Sequence, residues 1–127
     1  MSKFFVVLLM LFFHIVDDYR LQGVLASMKQ KEWWKKHAPQ RLYQYDYIMA
    51  LTMHSLSWSF MIMLPIAYAN SFNVGLGFIS IFVDNAIIHG IVDDLKANKR
   101  KINLISDQLI HLLQISITAA LFMRGVI

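Results

Sequence analysis

Residues 72–96, FNVGLGFISIFVDNAIIHGIVDDLK, decide how the chain is read. From Phe72 to Val92 the stretch is apolar and matches the roughly 20 residues that a helix needs to cross a bilayer core. It nevertheless ends on His89 and Asp93, one helical turn apart on the same face. Ionisable groups at membrane depth are costly and usually face a bundle interior, where they bind or transform something. The spacing recurs in both directions along the chain, as His14 with Asp18 and as Asp107 with His111. Together the three pairs read as a buried metal site.

Composition supports a membrane setting. The 127 residues are 57% hydrophobic and only 16% charged, and the mean hydropathy is +0.50, too apolar for an ordinary soluble domain. We expect one membrane-embedded domain over residues 1–127. Cysteine is absent, which removes thiolate ligands and leaves nitrogen and oxygen donors. Those suit zinc foremost, with manganese or iron as alternatives.

Three further apolar stretches accompany the first: Phe4 to Val16, Tyr47 to Ala69 and Ile102 to Met123. The fold expected is all-α: a polytopic membrane protein, an antiparallel bundle of four transmembrane helices. The first stretch competes with a signal peptide. No small-x-small cleavage site follows it directly, and Leu25-Ala26-Ser27 lies beyond two aspartates and an arginine. It is therefore read as retained.

Arg20, Lys29, Lys31, Lys35, Lys36 and Arg41 load the first connection, and Lys96, Lys99, Arg100 and Lys101 the third, whereas Asn70 and Ser71 carry no charge. The positive-inside rule puts the basic loops in the cytoplasm and both termini outside it, in a bacterial inner membrane. His14, Asp18, His54, His89, Asp93, Asp107 and His111 then share the cytoplasmic half of the bundle. Within the first loop, Leu21, Val24, Leu25 and Met28 at helical spacing, followed by Trp33 and Trp34 among lysines, predict an interfacial amphipathic helix ending at His37-Ala38-Pro39. Membrane lipid is the partner expected. Nucleic acid is not, since no recognition module accompanies the lysines.

The inward stripes are His14, Asp18 and Gln22; Asn85, His89, Asp93 and Lys96; and Asp107, His111, Gln114 and Thr118, with His54 and Trp58 on the second span. Four histidines and three aspartates suffice for one divalent ion, or two. Asp17, Asp84 and Asp94 are read as projecting elsewhere: an interface residue, a deep polar residue and a loop residue. Asp18, Asp93 and Lys96 are the candidate catalytic residues, Lys96 being placed to meet a substrate phosphate with Arg20 or Arg100. The plain alternatives are packing pairs, such as Asp93 with Lys96, and a first-turn carboxylate at Asp107 with Ser106 or Asn103 as cap.

His14-x-x-x-Asp18-Tyr-x-Leu-Gln22, His89-x-x-x-Asp93-x-x-Lys96 and Asp107-Gln108-x-x-His111 resemble the signature blocks of a family of bacterial and phage inner-membrane proteins known as a domain of unknown function. His54 matches its second-helix histidine. That family is in turn distantly similar to YdjM-like membrane-bound metal-dependent hydrolases. The resemblance implies a four-helix membrane protein with His/Asp site positions. Three functions are expected, in this order: a metal-dependent hydrolase acting on a lipid phosphate or ester, an ion or metal transporter, and a non-catalytic membrane interaction protein with a structural metal. Self-association through Gly75 and Gly77 is a further expectation.

Overall fold

A computed structural model describes residues 1–127, and every regular element is helical. Helix α1 spans Lys3–Val16 and runs directly into a π-helical turn, Asp17–Leu21. Two short helices follow, α2 (Leu25–Met28) and α3 (Lys31–His37), then a 3₁₀ turn at Arg41–Tyr43. Helices α4 (Asp46–Ala69), α5 (Leu76–Ala97) and α6 (Leu104–Met123) complete the chain. Three segments are long and apolar enough to cross a membrane: Arg41–Ala69, Leu76–Ala97 and Leu104–Met123.

The helix ends follow from local chemistry. Ser2 Oγ accepts from Phe5 N at 3.2 Å and starts α1, and Asn103 Oδ1 accepts from Ser106 N at 2.9 Å and starts α6, as side-chain N-caps do. At the end of α4, Phe72 N bonds Ala67 O and Ser71 N bonds Tyr68 O. This paired closure normally uses glycine, but here Ser71 takes the left-handed conformation, followed by Phe72 (φ 53° and 59°). That closure is why α5 begins at Leu76 and not at Phe72. The same closure ends α6, with Gly125 at φ 73°.

Helices α1 and α5 each pack against both α4 and α6. Lys3 Nζ donates to Met123 O at 2.9 Å, so the start of α1 caps the carbonyl end of α6. The outward faces are apolar, with Phe4, Phe12, Leu76, Ile105 and Leu109 all exposed. Polarity is concentrated inside: His14, His54, His89, Asp93, Asp107 and His111 are each at most 2% exposed. An apolar core fills the other end of the bundle, from Val6, Met10, Ile62 and Ile66 to Ile115 and Phe122, with Trp58 between the two zones.

Several expected details shift. The first-loop helix is broken at Lys29 and Gln30, because Asn98 takes the backbone groups there: Lys31 N donates to its Oδ1 at 2.7 Å and its Nδ2 donates to Lys29 O at 3.0 Å. Asp94 lies in the last turn of α5, not in a loop, and pairs with Lys99 at 3.2 Å. Asp84 points outward beside Val83 and Ile87. Gly77 faces the chain's own C-terminal segment, since a Cβ there would lie 3.2 Å from Val126 O.

Candidate metal centre

Four helices and one loop deliver the polar cluster. The end of α1 supplies His14, and the π turn that follows supplies Asp17 and Asp18, both buried. The turn closes through Gln22 N on Asp17 O at 3.1 Å, five residues apart. It holds one residue more than an α turn, and such turns recur at functional sites. Both consecutive carboxylates are buried in the bundle, which corrects the expectation that Asp17 sits at the interface. Ser57 Oγ donates to Asp17 Oδ1 at 2.6 Å, and Asp17 Oδ2 lies 3.6 Å from His54 Nδ1. A carboxylate behind a ring nitrogen is the usual device for orienting a metal-binding imidazole.

The free edges of these side chains converge. His54 Nε2 and His89 Nε2 are 3.2 Å apart. Asp18 Oδ1 lies 3.6 Å and 3.9 Å from them, and Asp93 Oδ2 lies 3.4 Å and 3.8 Å from them. Ligands at 2.0–2.1 Å around tetrahedral zinc stand about 3.3 Å from one another, so the donor set fits such an ion. Asp18, His54 and His89 form one group able to hold a metal, and His89, Asp93 and His111 form another, all buried.

Unpaired atoms carry the same message. Asp17 Oδ2, Asp18 Oδ1, His54 Nδ1, His89 Nδ1, Asp107 Oδ1 and His111 Nε2 are buried without hydrogen-bond partners. Buried polar atoms in folded proteins are overwhelmingly paired, and a metal ion could satisfy those of these atoms that face the cluster. Asp17, Asp18, Asp93 and Asp107 face only two buried or half-buried ammonium groups, Lys29 and Lys96. With the aspartates ionised and the histidines neutral, the formal excess of two negative charges equals the charge of one divalent ion.

Around the donors lies a supporting layer. Trp58 Nε1 donates to His14 Nδ1 at 2.8 Å, and an indole N–H only donates. His14 therefore carries its proton on Nε2 and gives it to Gln108 Oε1 at 3.1 Å. Both ring nitrogens are engaged, and His14 is in neither metal-holding group. Gln108 Nε2 also bonds Asp18 Oδ2 and Asp107 Oδ2, each at 3.1 Å. His111 Nδ1 donates to Gln114 Oε1 at 3.1 Å, the Gln114 amide being turned by its own bond to Asn85 O. Asp107 stands 3.4 Å from His111 Nε2 and accepts from Lys96. Gln22 reaches back to the Asp18 carbonyl and stays outside the cluster.

Lys29 is the participant the sequence does not advertise. Its Nζ donates to Asp93 Oδ2 at 2.6 Å across 64 residues, with the lysine only 6% exposed. Its position in a basic loop resembles any other headgroup-facing lysine. The signal that separates it is its place after the apolar run Leu25 to Met28, which drives that segment against α4.

The family model described as "Protein of unknown function (DUF3307)" matches residues 5–126. The chain belongs to the DUF3307 family. No curated protein and no solved structure matches it. The DUF3307 match includes every residue of the cluster, from His14 to Gln114. In this DUF3307 chain, then, the polar centre lies within the family's own domain.

Proposed function

We propose that the chain is a membrane-embedded metal-dependent hydrolase that acts near the cytoplasmic leaflet on a phosphate or ester of a lipid. The observation that carries this reading is the buried His54, His89, Asp18 and Asp93 donor set, with its unpaired atoms and uncompensated negative charge. A divalent ion, zinc foremost, would lower the pKa of a bound water towards neutrality and polarise the oxygen of the scissile group.

The protein's own groups have distinct tasks. Gln114 fixes the tautomer of His111 by accepting from its Nδ1, and Asp17 stands 3.6 Å behind the Nδ1 of His54. Gln108 ties Asp18, Asp107 and His14 together, which keeps the carboxylates from turning away. Lys29 and Lys96 bring positive charge to the rim, where a phosphate or carbonyl oxygen would arrive. Arg20 and Arg100 are exposed.

Access from the membrane supports a lipid substrate. A cleft between α1 and α6, lined by Leu11, Ile15, Tyr19 and Leu112, ends on His14 and Gln108. Apolar walls leading to a polar floor suit an amphiphile approaching sideways. On this proposal α1 with its π turn is a fourth membrane helix, both termini lie on the outer side of a bacterial inner membrane, and the basic loops face the cytoplasm. The apolar core beyond Trp58 fills most of the far half of the bundle, which weighs against an ion path.

Elemental analysis of detergent-purified protein is the test, followed by release of phosphate or fatty acid from mixed lipid micelles. Stoichiometric metal and turnover, both lost in His89→Ala, are the expected results. A folded protein free of metal, or metal without any lipid hydrolysis, defeats the proposal.

A further inference from the structure

Asp93 presents its two oxygens to two different sets of donors. Oδ2 faces His54 and His89 at 3.4 Å and 3.8 Å. Oδ1 lies 3.8 Å from His111 Nε2, which in turn lies 3.4 Å from Asp107 Oδ1. His111 Nε2 and Asp107 Oδ1 are both buried and make no hydrogen bond, to each other or to anything else. The proton of a neutral His111 is already on Nδ1, spent on Gln114. On a neutral His111 the Nε2 lone pair is aimed among carboxylate oxygens, which is repulsive unless a proton or a metal cation stands between them. His89 stacks on His111 with ring centroids 4.1 Å apart, so the two donor sets adjoin.

We infer that the cluster holds two divalent ions bridged by the Asp93 carboxylate, and that this pair selects a phosphate monoester over a carboxylic ester. The inference rests on the hydrolase reading and deepens it. One ion sits among His54, His89, Asp18 and Asp93 Oδ2, the other among His111, Asp107 and Asp93 Oδ1. Adjacent metal pairs recur in phosphatases and related enzymes, where they clamp both oxygens of a displacement.

Charge sets the substrate. Four aspartates against Lys29 and Lys96 balance one divalent ion, so a second leaves two positive charges in a buried site. A carboxylic ester brings nothing to offset them, whereas a phosphate monoester brings about 1.5–2 negative charges at neutral pH. In the reaction, water attacks phosphorus, the bond from phosphorus to the alcohol oxygen breaks, and a proton from that water passes to the departing alkoxide. Inorganic phosphate and a lipid alcohol leave.

The experiment uses full-length protein in detergent, stripped by chelator and loaded separately with zinc and with manganese. Wild type takes up two equivalents, and His111→Gln and Asp107→Asn each take up one, with helical circular dichroism unchanged in all. Manganese-loaded wild type gives an exchange-coupled paramagnetic resonance spectrum, which reverts to an isolated six-line signal in His111→Gln. Millimolar inorganic phosphate changes the coupled spectrum and acetate does not. One equivalent at most of either metal in wild type overturns the bridged pair while leaving the single-ion hydrolase intact; no metal at all removes both. Equal responses to phosphate and acetate overturn the substrate assignment.

Discussion

His54 Nε2 and His89 Nε2 face one another at 3.2 Å although they lie 35 residues apart on different helices. The residue after each explains the approach. A Cβ on Gly90 would stand 2.8 Å from Ser55 Oγ, so a larger residue there makes Ser55 leave its bond to Leu51 O or the two helices part. The distance between the two imidazoles is thus set by helix packing one residue away.

Gly90→Ala forces that contact to open. Overpacking of this kind costs about 1–3 kcal/mol, and here it also separates His54 from His89. Metal affinity is expected to fall along with the unfolding temperature. Adding Ser55→Ala to the same protein restores both in part, which a double-mutant cycle on thermal unfolding and metal titration would reveal.

Lys29→Met removes the nearer of two ammonium groups from the buried Asp93, leaving Lys96 Nζ at 4.0 Å. Breaking such a pair costs on the order of 3–5 kcal/mol, so the metal-free protein unfolds at a lower temperature. With the metal bound, Asp93 has another cation and the loss shrinks. Thermal melts with and without chelator test the difference. Equal losses in the two states would show that Lys29 and the metal do not share Asp93.

Asn98→Ala releases the clip that holds the break between α2 and α3. Each lost hydrogen bond costs about 1 kcal/mol. Hydrogen exchange at Lys31 N is expected to accelerate by roughly tenfold, while amides at the centre of α4 keep their protection.

Trp58 lies flat against His89, with ring centroids 4.2 Å apart. In a protein carrying Trp33→Phe and Trp34→Phe it is the sole indole emitter. Cobalt or another paramagnetic ion at the donor cluster is expected to quench its emission strongly. Unchanged emission on stoichiometric cobalt uptake would put the metal elsewhere.

The periodic part of this molecule was readable from residues alone. His89 with Asp93 and Asp107 with His111 keep their turn-to-turn spacing on regular α5 and α6, and Asn85, Gln114 and Thr118 continue those inward stripes. Departures arise where regular geometry fails. A step of about 100° per residue assigns Asp17 outward, yet both aspartates are buried, Asp17 against Ser57 of α4 and Asp18 against Gln108 of α6. His14 shares the level of the cluster, but Trp58 and Gln108 occupy its nitrogens, a relation no helix period contains. Lys29 reaches Asp93 through a chain reversal held by Asn98, far along the sequence. The start of α5 moved because Ser71 does a glycine's work in closing α4.

The five-residue turn at Asp17–Leu21 makes the centre sensitive to chain length as well as to side-chain identity. Deleting Arg20, an exposed residue, would touch no donor atom yet return the segment to ordinary α phase. The loop that carries Lys29 to Asp93 would then be turned relative to α1, and a single-codon loss at a surface position would disturb the interior.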